Sequence, residues 1–338
     1  MKLLSYPLSH PIQVKLDWME LSCLCSQFLS YRFSELRNIL ENLDEFTTED
    51  IGEEDARVED ELGKLIEQYE IRSTALGESY PFTLDSNQNY IELKQPTLDT
   101  LSADQYIYLY CLIFSHLTKS RLFENVVDIS NAHRDLFQIS STIAAAGLVS
   151  GNSISFGFPR PDANAFYPAL LRTVELIGEG QVKALEDVNK YLLTRKTKDA
   201  GIDIVAWSQD DTDPMPGSKT IYLAQVASGM NWRGKPVKGD IEALQLHWMS
   251  EPFARVNDAM FIPFDIENDN VDMRNSEASF LSFEFGFLMN RLRLPKYAKK
   301  GLDISINNPQ VIIERTNEVS SISDYVQMIV DTLQQEAA

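Results

Sequence analysis

Between Val14 and Leu43 the apolar residues Leu16, Met19, Cys23, Leu29, Phe33, Leu36 and Leu40 return at roughly helical spacing, which predicts one long amphipathic helix. A second helix is expected from Asp50 to Arg72. The stretch PFTLDSNQNYIELK holds two short β-like runs about a Ser-Asn-Gln-Asn turn and predicts a small hairpin. LSADQYIYLYCLIFSHL then opens with Ser102 and, three residues on, Gln105, the spacing of a capping box. Its apolar positions run nearly all round the helix, so it is expected to be buried.

From His133 onward the texture changes. HRDLFQISSTIAAAGLV reads as a helix that is small on one side, SISFGFPRPDANAF alternates and then turns, and FYPALLRTVELIGEG is a helix stopped by Gly178 and Gly180. GIDIVAW, TIYLAQVAS, AMFIPFDI and PQVIIER are strand-like. IEALQLHWM, SFLSFEFGFLMNRLRL and the closing SISDYVQMIVDTLQQEAA are helix-like. No repeat or low-complexity linker divides the chain. The change of texture between Ser120 and Asn131 therefore sets the expected boundary: a mainly helical domain over 1–125 and an α/β domain over 126–338.

Composition narrows the function classes. The 338 residues, 44% of them hydrophobic, suffice for a large core, and no run approaches the ~18 apolar residues of a membrane span. Ser, Pro, His and Lys15 interrupt the first apolar residues before a signal-peptide core can form, so a mature, soluble, cytoplasmic protein is expected. Cys23, Cys25 and Cys111 are an odd number without paired spacing, and His10, His116, His133 and His247 are scattered; neither a disulfide framework nor a zinc site is supported.

A formal net charge of −20 argues against a protein that coats nucleic acid, so any nucleic-acid role must be local. Much of the excess lies in DEFTTEDIGEEDARVEDEL, Asp44 to Leu62, where only Arg57 offsets the acids. Such a run is a solvated helix face, a docking surface for a basic partner, or a guard against stray nucleic acid. The helices before about Ser120 are expected to meet a protein partner or a second copy of the chain.

Two polar residues interrupt apolar strands: Asp203 in GIDIVAW and Gln225 in TIYLAQVAS. The intervening SQDDTDPMPGS is rich in turn formers. If Trp207 pairs with Ile221 in an antiparallel hairpin, Val205 faces Leu223 and Asp203 faces Gln225, on one face of the sheet. A carboxylate and a carboxamide so placed can share a hydrogen bond or hold a hard divalent cation such as Mg²⁺.

The order D-A-G-I-D-I-V-A followed by a strand ending in Gln resembles the core of the PD-(D/E)XK nuclease superfamily, Mrr-like restriction endonucleases in particular, over about residues 137–248. The resemblance implies a restriction-endonuclease-like mixed sheet flanked by helices. It also implies a Mg²⁺- or Mn²⁺-dependent DNA endonuclease acting as effector of a bacterial antiphage or restriction system. Asp203 matches the metal-binding aspartate and Gln225 the Glu/Gln position. An upstream helix in that family often adds a Glu or Gln, for which Glu179, Glu175 and Gln138 are the candidates. The family's Gln-x-Lys lysine is Ala227 here. The replacement expected from SGMNWRGKPVK is Lys235, ahead of Arg233 and Lys238. Asn231 and Trp232 of the same turn offer nucleotide contacts or core packing, and Arg160, Arg291, Arg293 and Lys296 are candidates for a local basic groove on DNA. The second reading, from the missing lysine and the acidic charge, is an inactive nuclease-like fold that serves as a binding or assembly subunit.

Overall fold

The protein is described by a computed structural model covering residues 1–43, 51–124, 128–158, 160, 165–194, 197–208, 217 and 219–337. The first residues of the acidic run, and most of the turns expected in FGFPRPD and SQDDTDPMPGS, fall outside the described residues. No described helix is long and apolar enough to cross a membrane. The architecture is mixed α/β, in two compact units: unit 1 comprises 1–129, 264–277 and 320–338, and unit 2 comprises 130–263 and 278–319. The first crossing lies where the sequence texture changes. The two later stretches of unit 1 lie instead inside the region the sequence gives to the α/β domain.

Unit 1 is built from β1 (Lys2–Leu3), α1 (Ile12–Cys25), β2 (Ser30–Arg32), α2 (Phe33–Glu41), α3 (Ile51–Leu76), β3 (Phe82–Leu84), β4 (Tyr90–Leu93), α4 (Ala103–Lys119) and β5 (Phe123–Glu124). The Ser102–Gln105 capping box forms at α4, and that helix is buried along almost its whole length. The expected hairpin is present as β3 and β4, with β2 added along its open edge. The single long helix over Val14–Leu43 is not. After Cys25 the chain turns, Leu29 takes a positive φ of 50°, and Ser30–Arg32 is drawn into pairing with β4 before α2 begins. The ladder with β4 thus overrides a hydrophobic spacing that a broken helix reproduces equally well.

Charge lies deep in unit 1. The fully buried guanidinium of Arg72 meets Asp17 and Glu20 at 2.7 Å each, Tyr80 and Tyr108 donate to Glu20, and His116 contacts Asp17 at 2.7 Å. Carboxylates on α1 that an amphipathic reading would leave in water are satisfied here by one arginine and its neighbours.

Unit 2 holds α5 (Asn131–Val149), β6 (Gly151–Ser155), α6 (Phe166–Ile177), β7 (Gln181–Val182), α7 (Lys190–Thr194), β8 (Ile204–Ser208), β9 (Ile221–Val226), α8 (Val237–Trp248), β10 (Met249–Glu251) and β11 (Val256–Phe261). The chain continues through α9 (Val271–Phe285), which belongs to unit 1 as far as Glu277, β12 (Phe287–Met289), α10 (Leu294–Asn307) and α11 (Ser320–Ala337), the last again in unit 1. The main sheet has the order β12-β11-β9-β8-β6. Its first three strands in sequence form an antiparallel meander, while β11 and β12 run parallel to β9. Helix α8 makes the crossover from β9 to β11, and α5 lies against β6, β8 and β9. β7 and β10 form a separate antiparallel pair.

Two expected elements change identity. SFLSFEFGFLMNRLRL is not one helix: Gly286, at φ +70°, ends α9 and lets Phe287–Met289 join the sheet. A Cβ there would stand 2.2 Å from the Asp258 carbonyl oxygen, so the close approach itself requires glycine. PQVIIER is a turn in which Ile313 alone bridges Ser153. In PQVIIER a short apolar run lacked the length to separate strand from turn.

The small face of α5 meets α10 backbone to backbone. A Cβ on Gly147 would lie 2.0 Å from the Tyr297 carbonyl oxygen, and one on Gly301 2.1 Å from that of Ile143. Gly147→Val is expected to cost about 3 kcal/mol or more, since main chain cannot yield as a side chain does. Its urea midpoint should fall accordingly; an unchanged midpoint would mean that the two helices separate freely.

Candidate active site around Asp203

The hairpin takes the register expected from the sequence: Trp207 pairs with Ile221 and Val205 with Leu223. Asp203 stands one residue before β8, and its amide still donates to the Ala224 carbonyl at 2.8 Å. Its own carbonyl accepts from Phe156 N, Gly157 N and Gln138 Nε2, each at 2.8 Å. The backbone that carries the carboxylate is thereby locked by β8's neighbours and by α5. The side chain then turns toward the end of β9, where Oδ2 accepts from the Val226 amide at 2.7 Å. Gly157 leaves it room, for a Cβ there would sit 2.7 Å from Asp203 Oδ1.

Burial pushes the Asp203 carboxyl up to about 6, helped by Asp199 and Asp240 and opposed by the Val226 amide and the Lys235 ammonium. Asp240, in the first turn of α8, is raised as well, again chiefly by burial. Between the two lies Gln225, 3% exposed. Its Nε2 donates to Asp240 Oδ2 at 2.5 Å, while its Oε1 is buried and meets no donor among the described residues. Asp240 thus decides which way the amide faces, because a carboxylate accepts only from the NH₂ end. Gly201, at φ +81°, makes this possible: a Cβ there would fall 2.2 Å from Asp240 Oδ2.

Lys235 returns to this end of the strands from the turn before α8. Its Nζ lies 3.4 Å from the Val226 carbonyl oxygen, and its charge lowers the pKa of both Asp203 and Asp240. Lys238 goes elsewhere, to the Phe283 carbonyl and within 4.0 Å of Asp258. Ala227 is buried and bonded to the Phe261 carbonyl. Trp232 packs into the core against Phe285, with Arg233 stacked over its ring at 4.4 Å.

Other expected members are not brought together with the pair. Glu179 accepts from the Ala254 amide at 2.7 Å, and its turn is held at the start of β9 by Lys219 on the Ile177 carbonyl. That is the opposite end of the hairpin from Asp203, and Glu175 is exposed on α6. The upstream helix contributes Gln138 instead. Arg160 and Arg291 are buried and offer no open basic groove, while Arg293, exposed, donates to the Leu288 carbonyl and lies over Phe287. Lys296 is exposed on α10. Besides Lys235, which acts on Asp203, Arg134 and Lys198 line with Asp203 a cleft of about 600 Å³.

The oxygens on offer are the Asp203 carboxylate and Gln225 Oε1, for which the described residues supply no donor, while Asp240 holds the other end of the Gln225 amide. A hard divalent cation suits those ligands and would keep several waters. Among the described residues no three His, Cys, Asp or Glu side chains form a metal-holding group. Asp240→Ala should free that amide to turn and weaken Mg²⁺ binding about 10–100-fold, the usual effect of removing a group that orients a ligand. Titration calorimetry would measure it; an unchanged affinity would remove Asp240 from this role. Asp240 and Arg134 carry no motif in the sequence, and only the fold brings them here. No known protein family, curated protein or solved structure matches the chain, so its site stands on geometry alone.

Proposed function

We propose that unit 2 is a restriction-endonuclease-like domain that hydrolyses phosphodiester bonds of DNA with Mg²⁺ or Mn²⁺, in the service of a bacterial antiphage or restriction system. The observation that carries this reading is the return of the Lys235 ammonium to the Asp203 and Gln225 end of the hairpin, where Ala227 supplies no cation. The succession α5, β6, β8, β9, α8, β11 agrees with it, as does Gln138 reaching Asp203 from the upstream helix.

Asp203 and Gln225 would hold the ion, which polarises a phosphate and lowers the pKa of an attacking water. Lys235 sets a positive charge where negative charge gathers on the phosphate during in-line attack. Gln138 and the Phe156 and Gly157 amides keep the Asp203 main chain still while this happens. Purified protein should cut DNA in Mg²⁺ or Mn²⁺ and stop in EDTA. Absence of cutting in either ion would overturn this reading and leave the inactive binding subunit in its place.

A further inference from the structure

Resting on the reading of Asp203 as the reacting end of the cleft, we propose that the cleft takes DNA as a single strand, with one phosphate between Arg134 and Lys198 and a base laid on Phe158. The argument begins with charge. In a chain of net charge −20, some cations of unit 2 meet carboxylates, Arg172 on Glu314, Arg315 on Asp135 and Glu318 and Lys238 near Asp258, while Lys183, Lys219 and Arg293 bond main-chain carbonyls. Among the described residues Arg134 and Lys198 form no ion pair. Arg134 makes a long hydrogen bond of 3.4 Å to Ser228, and Lys198 lies over Phe158 at 5.2 Å. Both line the cleft that Asp203 lines.

The acids of the cleft do not cancel them. Asp135 is clamped by Arg315 through two bonds of 2.7 and 2.5 Å, which neutralises it. Asp203 is met by the Val226 amide and faced by the Lys235 ammonium, with no ion needed. Asn131, at the positive end of the 19-residue helix α5, lines the same space and adds to the field. Two uncommitted cations facing a metal-binding carboxylate match a strand that places one phosphate at each end of the cleft.

Phe158 selects between strand and duplex. Its ring is 55% exposed in the cleft, and one interaction of that ring is already with the Lys198 ammonium. An aromatic platform beside backbone-binding cations is how proteins take unpaired bases, since stacking needs a free base face and tolerates any sequence. In a duplex both faces of each internal base are covered by neighbouring pairs.

The test is fluorescence anisotropy in EDTA, with a labelled oligonucleotide of about 12 nucleotides, within the site sizes such grooves show. The single strand should bind at least tenfold more tightly than its duplex. Phe158→Ala should cost the single strand about tenfold, as loss of one stacked base does, without changing the salt dependence, and Phe158→Trp should restore the affinity. The double variant Arg134→Ala, Lys198→Ala should weaken binding and reduce the salt slope by about 0.7, the share of one neutralised phosphate on a single strand. Melting curves confirm that the variants fold. Equal or tighter binding of duplex, affinities unmoved by these changes, or no binding of wild-type protein would each overturn the proposal. Because the ion is absent, strand binding with no cutting in Mg²⁺ would sink the nuclease reading alone.

Discussion

Asp203→Asn is expected to lower DNA cutting at least 1,000-fold and, in EDTA at pH 7.5, to raise the melting temperature. The two effects share one cause. Removing the charged ligand forfeits several kcal/mol of stabilisation of the reacting phosphate, and about 4 kcal/mol corresponds to a thousandfold in rate. In the metal-free protein that same charge is a burden, since the folded carboxyl titrates at about 6 rather than at 3.8. Below about pH 4 the group is protonated folded and unfolded alike, and it costs nothing. Between those values the folded state holds the proton more firmly, so stability falls as pH rises, and above about 6 the whole cost is present. A shift of this size amounts to about 1–3 kcal/mol once the remaining contact with water is allowed for. Asparagine keeps an oxygen for the Val226 amide but carries no charge. Its advantage should be full at pH 7.5 and vanish near pH 4. Adding Mg²⁺ should stabilise the wild type and leave the variant unmoved. Cutting that survives the substitution, or an unaltered melting temperature at pH 7.5, would remove Asp203 from the centre of the site.

The hairpin was legible because it is local. Alternation in GIDIVAW and TIYLAQVAS, joined by turn formers, leaves few registers, and Trp207 pairs with Ile221 and Val205 with Leu223 as that logic requires, down to Ile204 opposite Ala224. The capping box of α4 is legible for the same reason, since its two residues lie three apart. What sequence could not supply is the approach of distant segments. Asp240 reads as an ordinary acid in the first turn of a helix, and Arg134 as an ordinary surface cation, until α8 and α5 are set against the sheet. Glu179 drew attention because it follows a helix near the hairpin in sequence, but it approaches the wrong end. The same blindness applies to Asp17 and Glu20. On a helical wheel they mark a solvent face, and the buried Arg72 that reverses their meaning lies 52 residues beyond Glu20. Glycines carry some of the missing signal. Gly157, Gly201 and Gly286 each sit where a Cβ would strike the acid or the main chain of an aspartate, a pattern visible only once the partners are known.

Lys235→Ala should reduce the rate of cutting about 100-fold while leaving binding of DNA in EDTA within a few-fold of wild type. A cation positioned toward a developing negative charge contributes a few kcal/mol to the transition state and much less to the bound ground state. A second consequence separates this role from mere support of the turn. The ammonium holds the Asp203 and Asp240 carboxyls lower than burial alone would leave them. Without it both must climb, so the acid limb of the pH–rate curve, where the carboxylate that holds the ion becomes protonated, should move to higher pH. Lys235→Arg should restore much of that limb, because the charge returns, yet less of the rate, because a planar fork does not occupy the place of an ammonium. Lys238→Ala is the control: its ammonium is spent on the Phe283 carbonyl and lies near Asp258, so the rate should change little. Equal small losses at the two lysines, or an acid limb that stays in place, would show that the cation missing at Ala227 is not supplied by Lys235.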